Sequence, residues 1–179
     1  MTRYKWTVDA SHSAIEFKVK HMMIANVRGS FHKFDADVVA DAADLTTANI
    51  SFSIDVNSID TRDEQRDGHL KSADFFDVEK FPQITFKSTQ VTRKGEGEYA
   101  LTGDVTIHGV TKPITFSVEF EGSGKDPWGN ERAGFSATAS LSRKDFGLTW
   151  NAALETGGVL VGDEVKLALQ IEAIKQGEA

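Results

Sequence analysis

The side chains in this sequence best suited to chemistry are its five histidines, because histidine serves both as a metal ligand and as a general base near neutral pH. They are His12, His21, His32, His69 and His108. No two of them have the i, i+4 spacing of a helical metal site or the i, i+2 spacing of a site on a strand. The sequence therefore predicts no metal site, unless the fold brings distant ligands together.

A second group near the start of the chain has the residue types of a hydrolytic site. Asp9, Ser11, His12 and Ser13 supply a carboxylate, hydroxyls and an imidazole. Neighbours in sequence do not by themselves have the geometry of a nucleophile and its base, and turn formation explains the aspartate and serines equally well. The chain has no glycine-rich phosphate loop and no serine elbow. We therefore expect no catalytic residues, no cofactor and no enzyme activity.

Composition limits the kinds of protein that this chain can be. It has 179 residues, no cysteine and a net charge of −7. The length fits one domain over residues 1–179, and the acidic balance argues against general nucleic-acid binding. No apolar run has the length of a signal peptide at the N-terminus or of a membrane span elsewhere. We expect a cytoplasmic protein that has no transmembrane segment.

The elements that must position any site are strands, and the clearest pair lies between Gly103 and Phe120. Apolar and polar residues alternate through residues 101–107 and again through 114–120, which predicts an amphipathic hairpin. His108 to Pro113 would hold the turn, with Pro113 at the start of its strand because proline cannot donate to a central ladder. One face of this hairpin is apolar and must be covered.

The same alternation continues through most of the chain, at residues 4–8, 15–19, 27–40, 50–56, 84–86, 133–141 and 165–171. It breaks at residues 21–24, where we expect a bend or a short helical turn, and at residues 143–156, where we expect an irregular crossing. This pattern of about eight to ten strands favours an antiparallel sandwich or barrel over a parallel sheet.

One helical excursion interrupts the strands near residues 62–76. Thr61 and Glu64 match a capping box, in which the two side chains bind backbone amides at the start of a helix. The sequence therefore predicts a short helix from about Arg62 to Lys71. Leu70, Phe75 and Phe76 would attach it to the barrel or sheet.

Short motifs follow one another along nearly the whole chain. They are Asp9-Ala10-Ser11-His12-Ser13, Gly29-Ser30-Phe31, Ser58-Ile59-Asp60-Thr61, Arg66-Asp67-Gly68-His69-Leu70, Phe75-Phe76-Asp77, Phe81-Pro82-Gln83-Ile84-Thr85-Phe86, Thr106-Ile107-His108-Gly109-Val110-Thr111-Lys112-Pro113, Arg143-Lys144-Asp145-Phe146-Gly147 and Val161-Gly162-Asp163-Glu164-Val165. In this order they resemble the bacterial YceI-like family of polyisoprenoid-binding proteins.

The resemblance implies an all-β fold, an extended lipocalin-like antiparallel barrel of about eight strands. Its interior would hold a long amphiphilic lipid such as a polyisoprenoid, an isoprenoid quinone or its precursor. Many members of the family carry a secretion signal and work in the periplasm, and this sequence departs from them at its N-terminus.

Apolar residues on alternating strand faces are the candidate lining of such an interior. The candidates are Phe17, Val19, Phe31, Phe52, Ile54, Phe86, Val105, Ile107, Phe116, Val118, Phe135, Ala137, Leu167 and Leu169. Arg143 and Lys144 are candidates for binding an anionic headgroup. From pattern alone, the alternation favours an ordinary filled core, and it is the family resemblance that favours a lipid cavity.

Three interpretations remain open at the level of sequence. The first, which we favour, is a non-catalytic protein that binds, stores or transports a lipid. The second is an enzyme acting on an isoprenoid lipid, which would need titratable residues facing the cavity. The third is a protein-interaction barrel with a filled core. We also expect the chain to form a homodimer.

Overall fold

The computed structural model describes residues 2–152, 154 and 160–179. Within them the chain forms eleven strands and one α-helix, and all the strands belong to a single antiparallel sheet. The strands are β1 Tyr4–Val8, β2 Ala14–His21, β3 Ala25–Phe31, β4 Phe34–Asp41, β5 Asp44–Asp55, β6 Ile59–Asp60, β7 Gln83–Gly95, β8 Glu98–Ile107, β9 Val110–Lys125, β10 Glu131–Ser142 and β11 Val161–Glu178. The helix is α1 Glu64–Lys71.

The sheet closes into a barrel because the last strand pairs with the first. β11 pairs with β10 on one side, while on its other side its first half pairs with β2 and its second half with β1. Three long strands of the barrel are each interrupted once and are therefore counted as two: β1 with β2, β3 with β4, and β5 with β6. The eleven strands thus form a barrel of eight. The expected antiparallel barrel of about eight strands is confirmed.

The central hairpin forms as predicted, but its turn is shorter than expected. β8 ends at Ile107 and β9 begins at Val110, with His108 and Gly109 at φ of 55° and 75°. The expectation that Pro113 would begin its strand was therefore wrong. The proline is tolerated inside β9 because β10 pairs only with the later part of that strand, from Ser117 onward.

The break at residues 21–24 is a tight hairpin turn between β2 and β3 and not a helical one. Met22 and Met23 have φ of 53° and 62°, and the Ile24 amide donates to the carbonyl of His21. The irregular crossing after β10 begins with a 3-10 turn over Arg143–Phe146. The end of that predicted crossing, at residues 155–156, lies outside the described residues.

Helix α1 forms close to its predicted bounds, but the predicted capping box was wrong. The cap is Asp63, whose Oδ1 accepts hydrogen bonds from the amides of Gln65 and Arg66 at 3.1 Å each. Thr61 is buried at 3 % exposure, and its amide and hydroxyl both donate to Asp67. Thr61 therefore anchors the segment to the barrel from a position before the cap.

Two apolar clusters occupy the lower and the upper part of the barrel interior. The lower one includes Val56, Phe146 and Leu148, and it receives Leu70 and Phe76 from the helical excursion. The upper one surrounds Trp6, whose indole packs against three buried alanines, Ala40, Ala133 and Ala173. No helix in the described part of the chain is long and apolar enough to cross a membrane.

Candidate functional site

An apolar cavity of about 230 Å³ lies inside the barrel, and residues of both clusters line it. It extends from Ala42, in the turn between β4 and β5, down to Phe17 and Leu141 in the lower half. Its wall consists of inward-facing residues from successive strands, which is why side chains far apart in sequence meet there. The volume lies just below the usual range of ligand pockets in proteins, and it far exceeds the space that one water needs.

Thirteen of the fourteen predicted lining residues face this cavity. They are Phe17, Phe31, Phe52, Ile54, Phe86, Val105, Ile107, Phe116, Val118, Phe135, Ala137, Leu167 and Leu169. Val19 is not among the lining residues. It lies one inward-facing position further down β2, in register with Val27 and Val165.

Aromatic pairs form much of the wall. The ring centroids lie 5.5 Å apart for Phe17 and Phe31 on neighbouring strands, and 5.5 Å apart for Phe86 and Phe116, which lie on the two strands that flank β8. Phe120 pairs with Phe135 at 5.5 Å, and Phe52 stacks at 5.8 Å on Phe34, which packs against the core without lining the cavity. Most of these rings are only half-buried, because the cavity leaves part of each surface uncovered.

The sequence-based list missed the small residues and the indole that shape the upper half. Ala36, Ala40, Ala133 and Ala173 line the cavity, as does Trp6. Alternation already placed Trp6 and Ala133 on apolar faces, but pattern alone did not show that alanines on separate strands face one another. Their small side chains leave the upper part of the interior open.

Ionisable groups are scarce in the wall. Among the described residues that line the cavity, Glu16 is the only carboxylate, and it is an exposed residue on the outward-facing side of β2. Tyr99 adds a phenol. The cavity therefore offers no converging pair of acid and base for chemistry on a bound molecule.

The two headgroup candidates occupy very different positions. Arg143 is 4 % exposed, and its guanidinium donates to the carbonyls of Gly162, Leu148, Trp150 and Val161 at 2.6–3.1 Å. These bonds use four of its five N–H groups, so the side chain ties the crossing after β10 to β11. This role is structural and differs from the expected headgroup contact.

Burial lowers the pKa of Arg143, and the nearby charge of Asp163 acts in the opposite direction. Lys144 is exposed, and its backbone amide donates to Asp163 at 3.1 Å. The ammonium of Lys144 therefore stands at the lower end of the barrel, while the neighbouring guanidinium is enclosed.

The Asp9 cluster does come together, but around an arginine. The Arg132 guanidinium lies 2.8 Å from Asp9, 2.8 Å from Asp126 and 2.9 Å from Glu172. Hydrogen bonds from Ser11, His12 and Arg132 hold the pKa of Asp9 well below its usual range. The network pins the break between β1 and β2 to strands β10 and β11.

The serine and histidine of this cluster lack the geometry of a catalytic triad. Ser11 Oγ donates to Asp9 at 2.7 Å and lies 3.2 Å from His12 Nδ1, the same nitrogen that contacts Asp9 at 2.8 Å. A triad needs the serine and the carboxylate on opposite ring nitrogens. The hydrogen bond with Asp9 and the charge of Glu172 raise the pKa of His12.

Asp9, His12 and Glu172 have the spacing of metal ligands, but the guanidinium of Arg132 already contacts both carboxylates and supplies the positive charge there.

Comparison with known proteins agrees with this architecture. Residues 6–173 match the YceI-like domain. A UPF0312 protein of Staphylococcus aureus is 42 % identical over 168 residues, which cover 93 % of this chain and 95 % of that protein. A UPF0312 protein of Vibrio cholerae is 44 % identical over 138 residues, 77 % of this chain and 73 % of that protein.

Solved structures resemble the chain over most of its length. BcnA of Burkholderia cenocepacia has a TM-score of 0.81 at 27 % identity, with 92 % of this chain and 98 % of that one covered. The Campylobacter jejuni YceI protein has a TM-score of 0.75 at 30 % identity, with 88 % and 90 % covered. A polyisoprenoid-binding domain from Saccharophagus degradans shares the fold, with a TM-score of 0.71 at 12 % identity and coverage of 97 % and 99 %.

Proposed function

The chain belongs to the YceI-like family, and we propose that it binds the apolar tail of a long-chain amphiphilic lipid inside its barrel, without catalysis. The single observation that carries this proposal is the apolar cavity inside the barrel. Family membership and the shared fold of a polyisoprenoid-binding domain point to a binding protein. We infer that the ligand is an isoprenoid lipid, such as a quinone or its precursor, and that the protein stores or transports this lipid.

The volume of the cavity determines how much of the lipid tail is buried and therefore how strongly the tail is bound. At about 30 Å³ for each water-sized group, 230 Å³ accommodates about eight such groups. Each buried methylene contributes about 0.8 kcal/mol, so a tail of this size is held firmly without strong polar contacts. A longer isoprenoid requires the half-buried aromatic pairs of the wall to move apart.

Polar contacts with a headgroup belong outside the apolar wall. Of the two expected candidates we retain Lys144, because its ammonium is exposed at the lower end of the barrel. Arg143 has too few uncommitted donors for this role.

The two other interpretations have less support. An enzyme needs titratable groups that face the bound lipid, and the described wall supplies Tyr99 and an outward-placed Glu16. A filled-core barrel would have no cavity of this size.

Mass spectrometry of an organic extract from the purified protein tests the proposal. We expect one lipid with a long apolar tail, in an amount comparable to that of the protein. An extract that contains no such lipid, from protein purified without detergent, would contradict the proposal. An Ala137→Trp protein prepared in parallel provides the matched sample in which lipid should be lost.

A further inference from the structure

The tip of the β2–β3 hairpin exposes apolar side chains that the barrel does not need. Met22, Met23 and Ile24 are 40 %, 57 % and 81 % exposed. They are three of the four large apolar residues that the described part of the chain exposes, the fourth being Trp128. Single exposed apolar residues are common on protein surfaces, but a contiguous group on a projecting turn marks an interaction site.

The turn carries these side chains at positions that disfavour them. Met22 and Met23 both adopt left-handed backbone conformations, which favour Gly and, less strongly, Asn. Methionine is therefore disfavoured by the backbone at both positions, while its side chains stay 40 % and 57 % exposed. A contact made outside the chain would compensate for this cost.

Positive charge lies directly behind the tip, on the outward-facing side of the same hairpin. Lys18 is in register with Arg28 on β3 and with Lys166 on β11, so three cations stand side by side on neighbouring strands. Lys20 lies between this row and the tip. Like charges directly opposite one another on a sheet are unfavourable unless an anion compensates them.

Nothing in the described residues pairs with this row. None of the observed ion pairs involves these four cations, and the acidic residues beside them on the same strands are Glu16 and Glu164. The row therefore forms a local excess of positive charge on a chain whose net charge is −7. Such a surface attracts anions while the rest of the molecule repels them.

The spacing of the two features matches the surface layer of a bilayer. Met22 lies four positions after Lys18, a rise of about 13 Å along an extended strand. Apolar groups of peripheral proteins enter about 5–10 Å into the boundary between headgroups and acyl chains. With the tip at that depth, the cations lie beside the lipid phosphates.

We propose that the β2–β3 hairpin docks this protein on a bilayer surface containing anionic lipids, with Met22, Met23 and Ile24 inserted and Lys18, Arg28 and Lys166 facing the headgroups. The half-buried Val19 and Val27 connect this tip to Phe17 in the cavity wall. Docking thus places one end of the apolar interior next to the membrane. The docking itself does not depend on the content of the cavity.

Flotation with lipid vesicles tests this proposal. We expect the protein to float with vesicles of phosphatidylcholine containing about one third phosphatidylglycerol, and to bind much more weakly to phosphatidylcholine alone. The affinity should fall as salt rises from about 0.05 M to 0.15 M, because the interaction of the exposed cations with the surface is screened.

Substitutions distinguish the contribution of the apolar tip to vesicle binding from that of the cations. The triple change Met22→Asn, Met23→Gly and Ile24→Thr should weaken binding at least about tenfold. It should leave the thermal midpoint unchanged or higher, because Asn-Gly relieves the strain of the turn. Lys18→Gln and Arg28→Gln should each weaken binding to anionic vesicles by about fivefold, with no effect on neutral ones.

Two controls make the result specific. Trp128→Ser removes an equally exposed apolar side chain at the opposite end of the barrel and should bind vesicles as the wild type does. Ala137→Trp fills the cavity and should also float normally, which separates docking from lipid loading. If the wild type does not bind anionic vesicles at about 0.05 M salt, or if the triple variant binds unchanged, the proposal is overturned. A wild-type dimer that the triple variant dissociates, with no vesicle binding, would assign the tip to a second copy of the chain and would also overturn it.

Discussion

Filling the cavity from the inside distinguishes a lipid-binding barrel from a filled core. Ala137 lies on β10 between Leu169 of β11 and Val118 of β9, and all three residues line the cavity. Substitution of Ala137 by Trp adds about nine non-hydrogen atoms at this position. This is close to the capacity of about eight water-sized groups, so the indole should occupy the space that the lipid tail needs.

The size of the effect follows from the volume. An empty cavity costs about 24 cal/mol for each Å³, so 230 Å³ destabilises the lipid-free barrel by about 5.5 kcal/mol. For a domain of this length, each kcal/mol shifts the midpoint by about 2–4 °C. Removing the lipid from the wild type should therefore lower its midpoint by about 10–20 °C. Ala137→Trp should recover much of that loss while binding no lipid.

The assay combines lipid content with thermal unfolding, for protein as purified and after extraction of lipid. Ala168→Trp is the matched control, because Ala168 lies on β11 next to Leu169 but is exposed on the outer face. It should keep both its lipid and the wild-type midpoint. The extracted and loaded samples must be compared separately, because a bound lipid raises the midpoint by mass action.

One pattern of results would refute the reasoning. In a filled core, the additional indole overpacks the interior and costs about 1–3 kcal/mol. A wild-type protein that yields no lipid, together with an Ala137→Trp midpoint lower by about 2–12 °C, would show that no usable cavity exists.

Three further predictions concern the elements around the cavity. Asp63→Ala should lower the free energy of unfolding by about 1 kcal/mol through loss of the α1 cap, measured by urea denaturation, whereas Glu64→Ala should have little effect. Arg143→Met should destabilise the fold by about 3 kcal/mol or more, because four backbone carbonyls lose their donor; reduced lipid binding in an otherwise stable variant would contradict this. Burial opposes ionisation of Asp126, but hydrogen bonds led by the one from Arg132 outweigh it and lower the pKa from 3.8 to about 2. The ionised carboxylate therefore stabilises the fold above pH 3.8, and this stabilisation is lost as the pH falls toward 2. Asp126→Asn should therefore flatten the acid limb of a plot of stability against pH, and an unchanged limb would contradict the assignment.

The strands of the barrel could be predicted because their information is local. Alternation of period two identifies a half-buried strand from a few residues, and it placed the central hairpin and most of the wall correctly. Closure is not local, since it depends on β11 being long enough to pair with β2 and then with β1. Only the family resemblance, and not the periodicity, distinguished a barrel from a sandwich.

The errors at α1 and Arg143 have a common physical origin. The spacing of Thr61 and Glu64 fits a capping box, but Asp63 is an equally good cap two residues after Thr61, and the burial of Thr61 decides between them. Arg143 looks like a surface cation in sequence. Its partners Val161 and Gly162 are 18 and 19 residues away, and only the return of β11 brings them beside it.

The cavity is the feature that is hardest to predict from the sequence, because it consists of space that the inward-facing side chains do not fill. Alternation shows that Ala36, Ala133 and Ala173 face inward, but a small residue opposite a large one gives a packed core and a small residue opposite another small one gives a void. In this barrel the upper alanines lie on β4, β10 and β11, around the closure between β11 and β1. The hydrogen-bonded ring prevents these strands from moving together to close the gap. We therefore expect the lipid-free barrel to bear the cost of its unfilled interior, and a loss of stability on lipid removal is the result that this closed wall predicts.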